Sequence, residues 1–174
     1  MRFFRLAGLL LILGLLPHEV LAQQQMRVPF NFRWGESSQR VEQSLVGIKA
    51  RVVERKVTAG RTALVVEGIP QKQLLRVIFY FKDDAMNEIE LHYGDRSWDT
   101  PKYEYFFEDV RKNIEGKYGL GRQISRTRSR EGDVLQTLIG YHWLQGTMSL
   151  RLFLFTANKD DQALRVLSLH YKEF

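Results

Sequence analysis

The chain has 174 residues, 26 Lys and Arg against 20 Asp and Glu for a formal charge of +6, 44% hydrophobic residues and no cysteine. Lack of cysteine excludes a disulfide framework, thiol catalysis and thiolate metal sites. Without disulfides, a chain of this kind must hold itself together by buried apolar surface, which its composition permits.

Arg2 and Arg5 begin the chain, Leu6 to Leu16 is almost wholly apolar, and Pro17 breaks the run. Val20-Leu21-Ala22 then carries compact residues where a signal peptidase reads. The run falls short of the about 20 residues of a membrane span, so residues 1–22 read as a cleaved export signal. A retained N-terminal anchor is the alternative. Cleavage removes two Arg and one Glu, leaving 152 residues at +5, enough for one domain or two half-units sharing a core. The expected location is periplasmic or secreted. Nucleic acid is not expected as a partner despite a pI near 9.6, because export removes the opportunity to meet it.

Residues 23–28 are polar and aperiodic and read as a flexible lead-in. Ser37 is placed to cap a short helix whose stripe is Val41, Leu45 and Ile48 and whose stop is Gly47. Trp34 is expected to pack at its start. Strands follow over Ala50 to Val57, Thr62 to Val66, Leu74 to Phe81 and Asn87 to Tyr93, separated by tight turns, which is the pattern of an antiparallel meander. The order then restarts. Thr100-Pro101 reads as a cap with proline at the first helical position. Tyr103, Phe106, Phe107, Val110 and Ile114 recur at helical spacing up to Gly119. These aromatic residues read as a helix–sheet seam in preference to a cofactor box. Strands are expected again over Arg122 to Ser129, Val134 to Leu144, Met148 to Phe155 and Leu164 to Tyr171.

A near-repeat supports the restart. Lys82-Asp83-Asp84 runs on to Ile89-Glu90-Leu91-His92-Tyr93, and Lys159-Asp160-Asp161 runs on to Leu167-Ser168-Leu169-His170-Tyr171, at offsets of 77 and then 78 residues. The expected class is therefore α+β, as two tandem units over residues 29–98 and 99–174, each one helix packed on a four-stranded antiparallel sheet. Alternation puts Ile89, Leu91, Tyr93 and Leu167, Leu169, Tyr171 under the helices. Glu90, His92, Ser168 and His170 then share the wet face, the natural partner surface of such a sheet. Bulky apolar residues on both faces of the third and seventh strands leave that face either partly covered or an apolar patch.

Phe32-Arg33-Trp34-Gly35-Glu36-Ser37, followed by Val41 and Leu45, resembles the opening of a group of poorly characterised bacterial envelope proteins. The doubled order of one helix and four strands is similar to the tandem fold of the β-lactamase inhibitor protein family. It resembles more distantly the small outer-membrane assembly lipoproteins, whose lipidated cysteine this chain lacks. The resemblance implies a concave sheet used for protein binding. It carries over no inhibitory residue.

Motifs for catalysis are missing: there is no His-Glu-x-x-His, no Gly-x-Ser-x-Gly and no phosphate-cradling glycine loop. His92 and His170, with Glu90 nearby, are more economically duplicated sheet residues than an acid–base or metal pair. Asp83-Asp84 and Asp160-Asp161 fit hairpin turns better than calcium loops, which need several oxygen ligands at set spacing. Arg122, Arg126, Arg128 and Arg130 lie within nine residues, the first three on one side of an extended strand. They read as a charged edge strand, or as a site for an anionic lipid or envelope polymer held through forked hydrogen bonds. The expectation is thus a non-enzymatic exported protein, without cofactor or metal, that binds another protein through Glu90, His92, Arg151, Ser168 and His170. A small secreted hydrolase using His92 or His170, and an anionic-surface binder using the arginine segment, are the alternatives.

Overall fold

A computed structural model describes residues 24–174, and the segment at 1–22, read above as an export signal, lies outside them. A 3-10 turn at Pro29–Asn31 precedes α1 (Ser38–Gly47), β1 (Arg51–Thr58), β2 (Arg61–Glu67), β3 (Leu74–Lys82) and β4 (Ala85–Tyr93). After these come α2 (Thr100–Tyr118), β5 (Arg122–Glu131), β6 (Val134–Gln145), β7 (Met148–Lys159) and β8 (Gln162–Glu173). The class is α+β, and the elements fall in the expected order. The strands do not, however, form two separate sheets. They make one antiparallel eight-stranded sheet in the order β1-β2-β3-β4-β8-β7-β6-β5, with β4 paired to β8 at its centre. The physical reason is that β4 and β8 are each apolar on one face, and each would otherwise present a row of unpaired backbone groups at an edge.

Local chemistry starts each helix. The Ser37 hydroxyl accepts from the Arg40 N–H at 3.3 Å, satisfying one of the free donors of the first turn of α1. Asp84, in the hairpin between β3 and β4, adds a second tie by accepting from the Ser38 N–H at 3.0 Å. Hydrogen bonding to Ser38, side chain first and then backbone, holds the Asp84 carboxyl below the ordinary aspartate value. Val41 and Leu45 bury the inner face of α1, and Trp34 packs against the same cluster. Ile48 does not continue the stripe; the helix has ended at Gly47, and Ile48 is 40% exposed.

In α2 the cap is Asp99, not Thr100. The Asp99 carboxylate accepts from the Lys102 N–H at 2.9 Å, Thr100 is already helical, and its hydroxyl accepts from Arg165 Nε at 2.7 Å. A carboxylate at that end also meets the positive pole of the helix. Tyr103, Phe107 and Ile114 are buried and α2 lies on β7 and β8, so the aromatic residues are core. Both acidic pairs sit in two-residue turns, closed by Lys82 opposite Ala85 and by Lys159 opposite Gln162. Asp83, Asp84 and Asp160 have φ of 51°, 59° and 48°, a left-handed backbone that aspartate tolerates.

A single apolar cluster joins both helices to one face of the sheet, with Phe79, Phe81, Phe107, Leu152 and Leu167 among its fully buried members. Leu91 of β4 stands opposite Leu169 of β8 in its middle. Within the segment read as a flexible lead-in, Met26 is docked: it is 4% exposed, and its N–H donates to Gln145 Oε1 at 2.5 Å.

Candidate functional site on the open sheet face

Pairing register assigns the residues of the second face, because partners directly opposite in an antiparallel ladder share a side. At the centre, Ile78 pairs with Glu90, Glu90 with His170, His170 with Arg151, Arg151 with His142, and His142 with Arg122. One row therefore crosses six strands and holds five charged or titratable side chains. The next row runs Arg76, His92, Ser168, Phe153, Gly140 and Ser125. The row on the other side contains Tyr80, Glu88, Lys172 and Ser149. All five residues expected to form a surface (Glu90, His92, Arg151, Ser168 and His170) are thus brought onto one contiguous patch.

The centre of the patch is a hydrogen-bonded network. Tyr80 donates to Glu90 Oε2 at 2.8 Å, and His92 Nε2 lies 2.5 Å from Glu90 Oε1. Arg76, which can only donate, addresses the other ring nitrogen of His92 at 3.4 Å. His170 Nε2 lies 2.9 Å from Ser168 Oγ and 3.8 Å from Glu90 Oε1, while its Nδ1 lies 3.9 Å from Glu88 Oε1. Glu88 also meets Arg61 at 3.0 Å and Lys172 at 3.9 Å.

Environment sets the charges. Burial opposes ionisation of Glu90, but the hydrogen bonds from His92 and Tyr80 and the charge of His170 outweigh it and hold the carboxyl at about 2. The approach of the His170 ring, against the opposing effect of burial, holds Glu88 below its ordinary value, with help from Lys172 and Arg61. Tyr80 is pushed up by burial and by the neighbouring Glu90. His142 is pushed down by burial and then by Arg151 and Arg122. The Glu90 and His92 side chains are only 15% and 13% exposed, although the apolar cluster that contains both helices lies on the opposite side. Neighbouring side chains of the sheet itself shield them. Half-buried Ile78, Phe153, Phe155 and Val166 form the apolar surroundings, and Phe153 meets the His170 ring edge-on at 5.4 Å.

The arginine segment is divided. Arg126, Arg128 and Arg130 pair with Ile139, Thr137 and Leu135, on the helix side of the edge strand β5, and are exposed. A bulge between Gln123 and Ser125 reverses the alternation, so that Arg122 pairs with His142 on the open face. The expectation that Arg122, Arg126 and Arg128 share one side is therefore corrected: the inserted residue separates Arg122 from the others.

Arg61, Arg76, Tyr80, Glu88 and His142 were not singled out from the sequence. Alternation along β3 could have supplied Arg76 and Tyr80. Chemically, the patch can present charge and hydrogen bonds to a macromolecule. It also holds a Ser–His–Glu order in Ser168, His170 and Glu88. Among the described residues no three His, Asp or Glu side chains are arranged to hold a metal ion, and no helix is long and apolar enough to cross a membrane. No protein-family model, curated protein or solved structure matches the chain.

Proposed function

We propose that this chain is an exported, non-catalytic binding protein of the bacterial envelope, made of two helix-plus-four-strand units, and that it engages another protein through its open sheet face. The observation carrying this reading is the composition of that face. A polar network centred on Glu90 lies beside half-buried aromatic and aliphatic residues and an arginine, Arg151, that makes no ion pair among the described residues. Protein interfaces have this make-up: aromatic and arginine anchors with apolar surroundings and few lysines. The two-unit part is supported by the seam. Leu91 and Leu169 differ by the repeat offset of 78 and face one another, so β4 and β8 are related about that pair as if by a two-fold axis. The edge arginines Arg126, Arg128 and Arg130 then serve to keep β5 from pairing with other chains.

Capture from an envelope extract tests the reading, comparing the wild-type chain with a His92→Ala, His170→Ala, Arg151→Ala variant. Loss of a specific captured protein by the variant is expected. An undiminished set of captured proteins removes these residues from the proposal.

A second reading has one observation in its favour, the 2.9 Å approach of Ser168 Oγ to His170 Nε2 with Glu88 beyond. This order suits a hydrolase. Two features weigh against it: Ser168 is 5% exposed, and the ladder N–H groups around it are engaged in the sheet, leaving no backbone donors for an oxyanion. Ester hydrolysis abolished by Ser168→Ala would favour the hydrolase.

A further inference from the structure

The two halves treat the same arrangement differently. In the first, Arg76 pairs across the strand gap with His92, and Glu90, two residues ahead of that histidine, bonds to its ring. In the second, Arg151 pairs with His170 in the same way, but the residue two ahead is Ser168, whose hydroxyl takes the place of the carboxylate on the ring nitrogen. The second half is therefore short of one negative charge. Glu88 and Glu90 reach across the seam to His170 at 3.9 and 3.8 Å, yet neither pairs with Arg151. Two strands further out, the β5 bulge delivers Arg122 beside His142, so that two arginines flank one imidazole. Among the described residues neither arginine has an ion pair or a side-chain hydrogen bond, whereas Arg51, Arg55, Arg61 and Arg111 are all paired with glutamates.

Adjacent strands stand about 5 Å apart, so Arg122 and Arg151 are about 10 Å apart at the backbone, a gap that two arginine side chains can close around one anion. Burial first, and then the charges of Arg151 and Arg122, lower the basicity of His142.

We infer that the open face has a carboxylate-binding site formed by Arg122 and Arg151 on either side of His142, and that it takes an acidic side chain of the protein partner. The inference rests on the partner reading above and supplies the chemistry of the contact. The bound carboxylate supplies the anionic partner that neither arginine has among the described residues. Two guanidinium groups suit it because each presents paired N–H donors in a fork matching a carboxylate.

The test uses the mature chain and follows the His142 ring resonances by NMR during titration with a hexaglutamate peptide and, separately, with inorganic phosphate at matched ionic strength. The peptide is expected to move the His142 signals saturably and to raise its pKa, since a nearby anion favours the imidazolium form. Arg151→Gln and Arg122→Gln should each weaken peptide binding about tenfold, a loss of about 1.4 kcal/mol. Ser168→Glu, which restores the carboxylate internally, should weaken it as well. Arg126→Gln, on the other face, should change it little. Equal weakening by Arg126→Gln, or binding of phosphate without binding of the peptide, overturns the assignment. If a partner is still captured through the open face by a chain that does not bind the peptide, the carboxylate site falls and the partner reading stands. If the peptide binds as expected but capture never depends on this face, the site stands and the partner reading falls.

Discussion

Glu90 carries the network that gives the open face its order, and its protonation is coupled to folding. The carboxyl sits at about 2, against 4.5 without the fold. A carboxyl lowered in the folded state contributes stability that is complete above about 4.5 and disappears as the pH falls toward about 2. Glu90→Gln should therefore cost on the order of 3 kcal/mol near neutrality, and the penalty should vanish in acid. Thermal unfolding of both proteins across that window checks this, and a penalty independent of pH would contradict it. Gly140 makes a different kind of prediction. A Cβ there would lie 2.7 Å from the Phe153 ring, which itself meets His170 edge-on. Gly140→Ala should destabilise the chain by about 1–3 kcal/mol through overpacking and shift the His170 ring resonances. An unshifted His170 signal would mean that Phe153 does not hold the ring.

At the level of elements, β1 and β5 are the two edges of the sheet and manage exposure differently. Cations on β1 are paired with glutamates, Arg51 with Glu67 and Arg55 with Glu42, while among the described residues Arg126, Arg128 and Arg130 on β5 are not. Replacing those three arginines by serine should leave unfolding stability within about 0.5 kcal/mol but speed self-association, measured by light scattering. Unchanged association together with lost partner capture would place them in the binding surface instead. These elements also mark how far the sequence can be read. Helical and alternating apolar periods locate both helices and all eight strands, and two-residue turns let register be counted. The turn at Gly146-Thr147 sets His142 opposite Arg151, and the turn at Asp160-Asp161 sets Arg151 opposite His170. His142 was thus within reach. Arg122 was not, because counting back from the β5–β6 turn without the bulge puts it opposite Trp143 on the helix side. Nothing in the side chains from Gln123 to Ser125 announces that extra residue. The choice of Asp99 over Thr100 as the cap of α2 was equally close, since both residue types cap well.

Across the whole molecule, the pairing of β4 with β8 is what no local signal specifies, because these strands are not joined by a turn and lie about eighty residues apart. It is also what assembles the candidate site, bringing Glu88 and Glu90 to His170. The same pairing and the single apolar cluster predict that both halves unfold together. Fluorescence of variants keeping only Trp34 or only Trp143 should report coincident denaturant midpoints, and separated midpoints would mean that the halves are independent. On the proposed reading, the open face is where a partner binds. Photo-crosslinking side chains placed at Ile78 and Phe155 on that face, and at Tyr105, which is 68% exposed on α2, test it most directly in an envelope extract. A shared adduct is expected from the first two positions, lost when Arg151→Ala is added, and none from the third. Adducts from Tyr105 alone would contradict it.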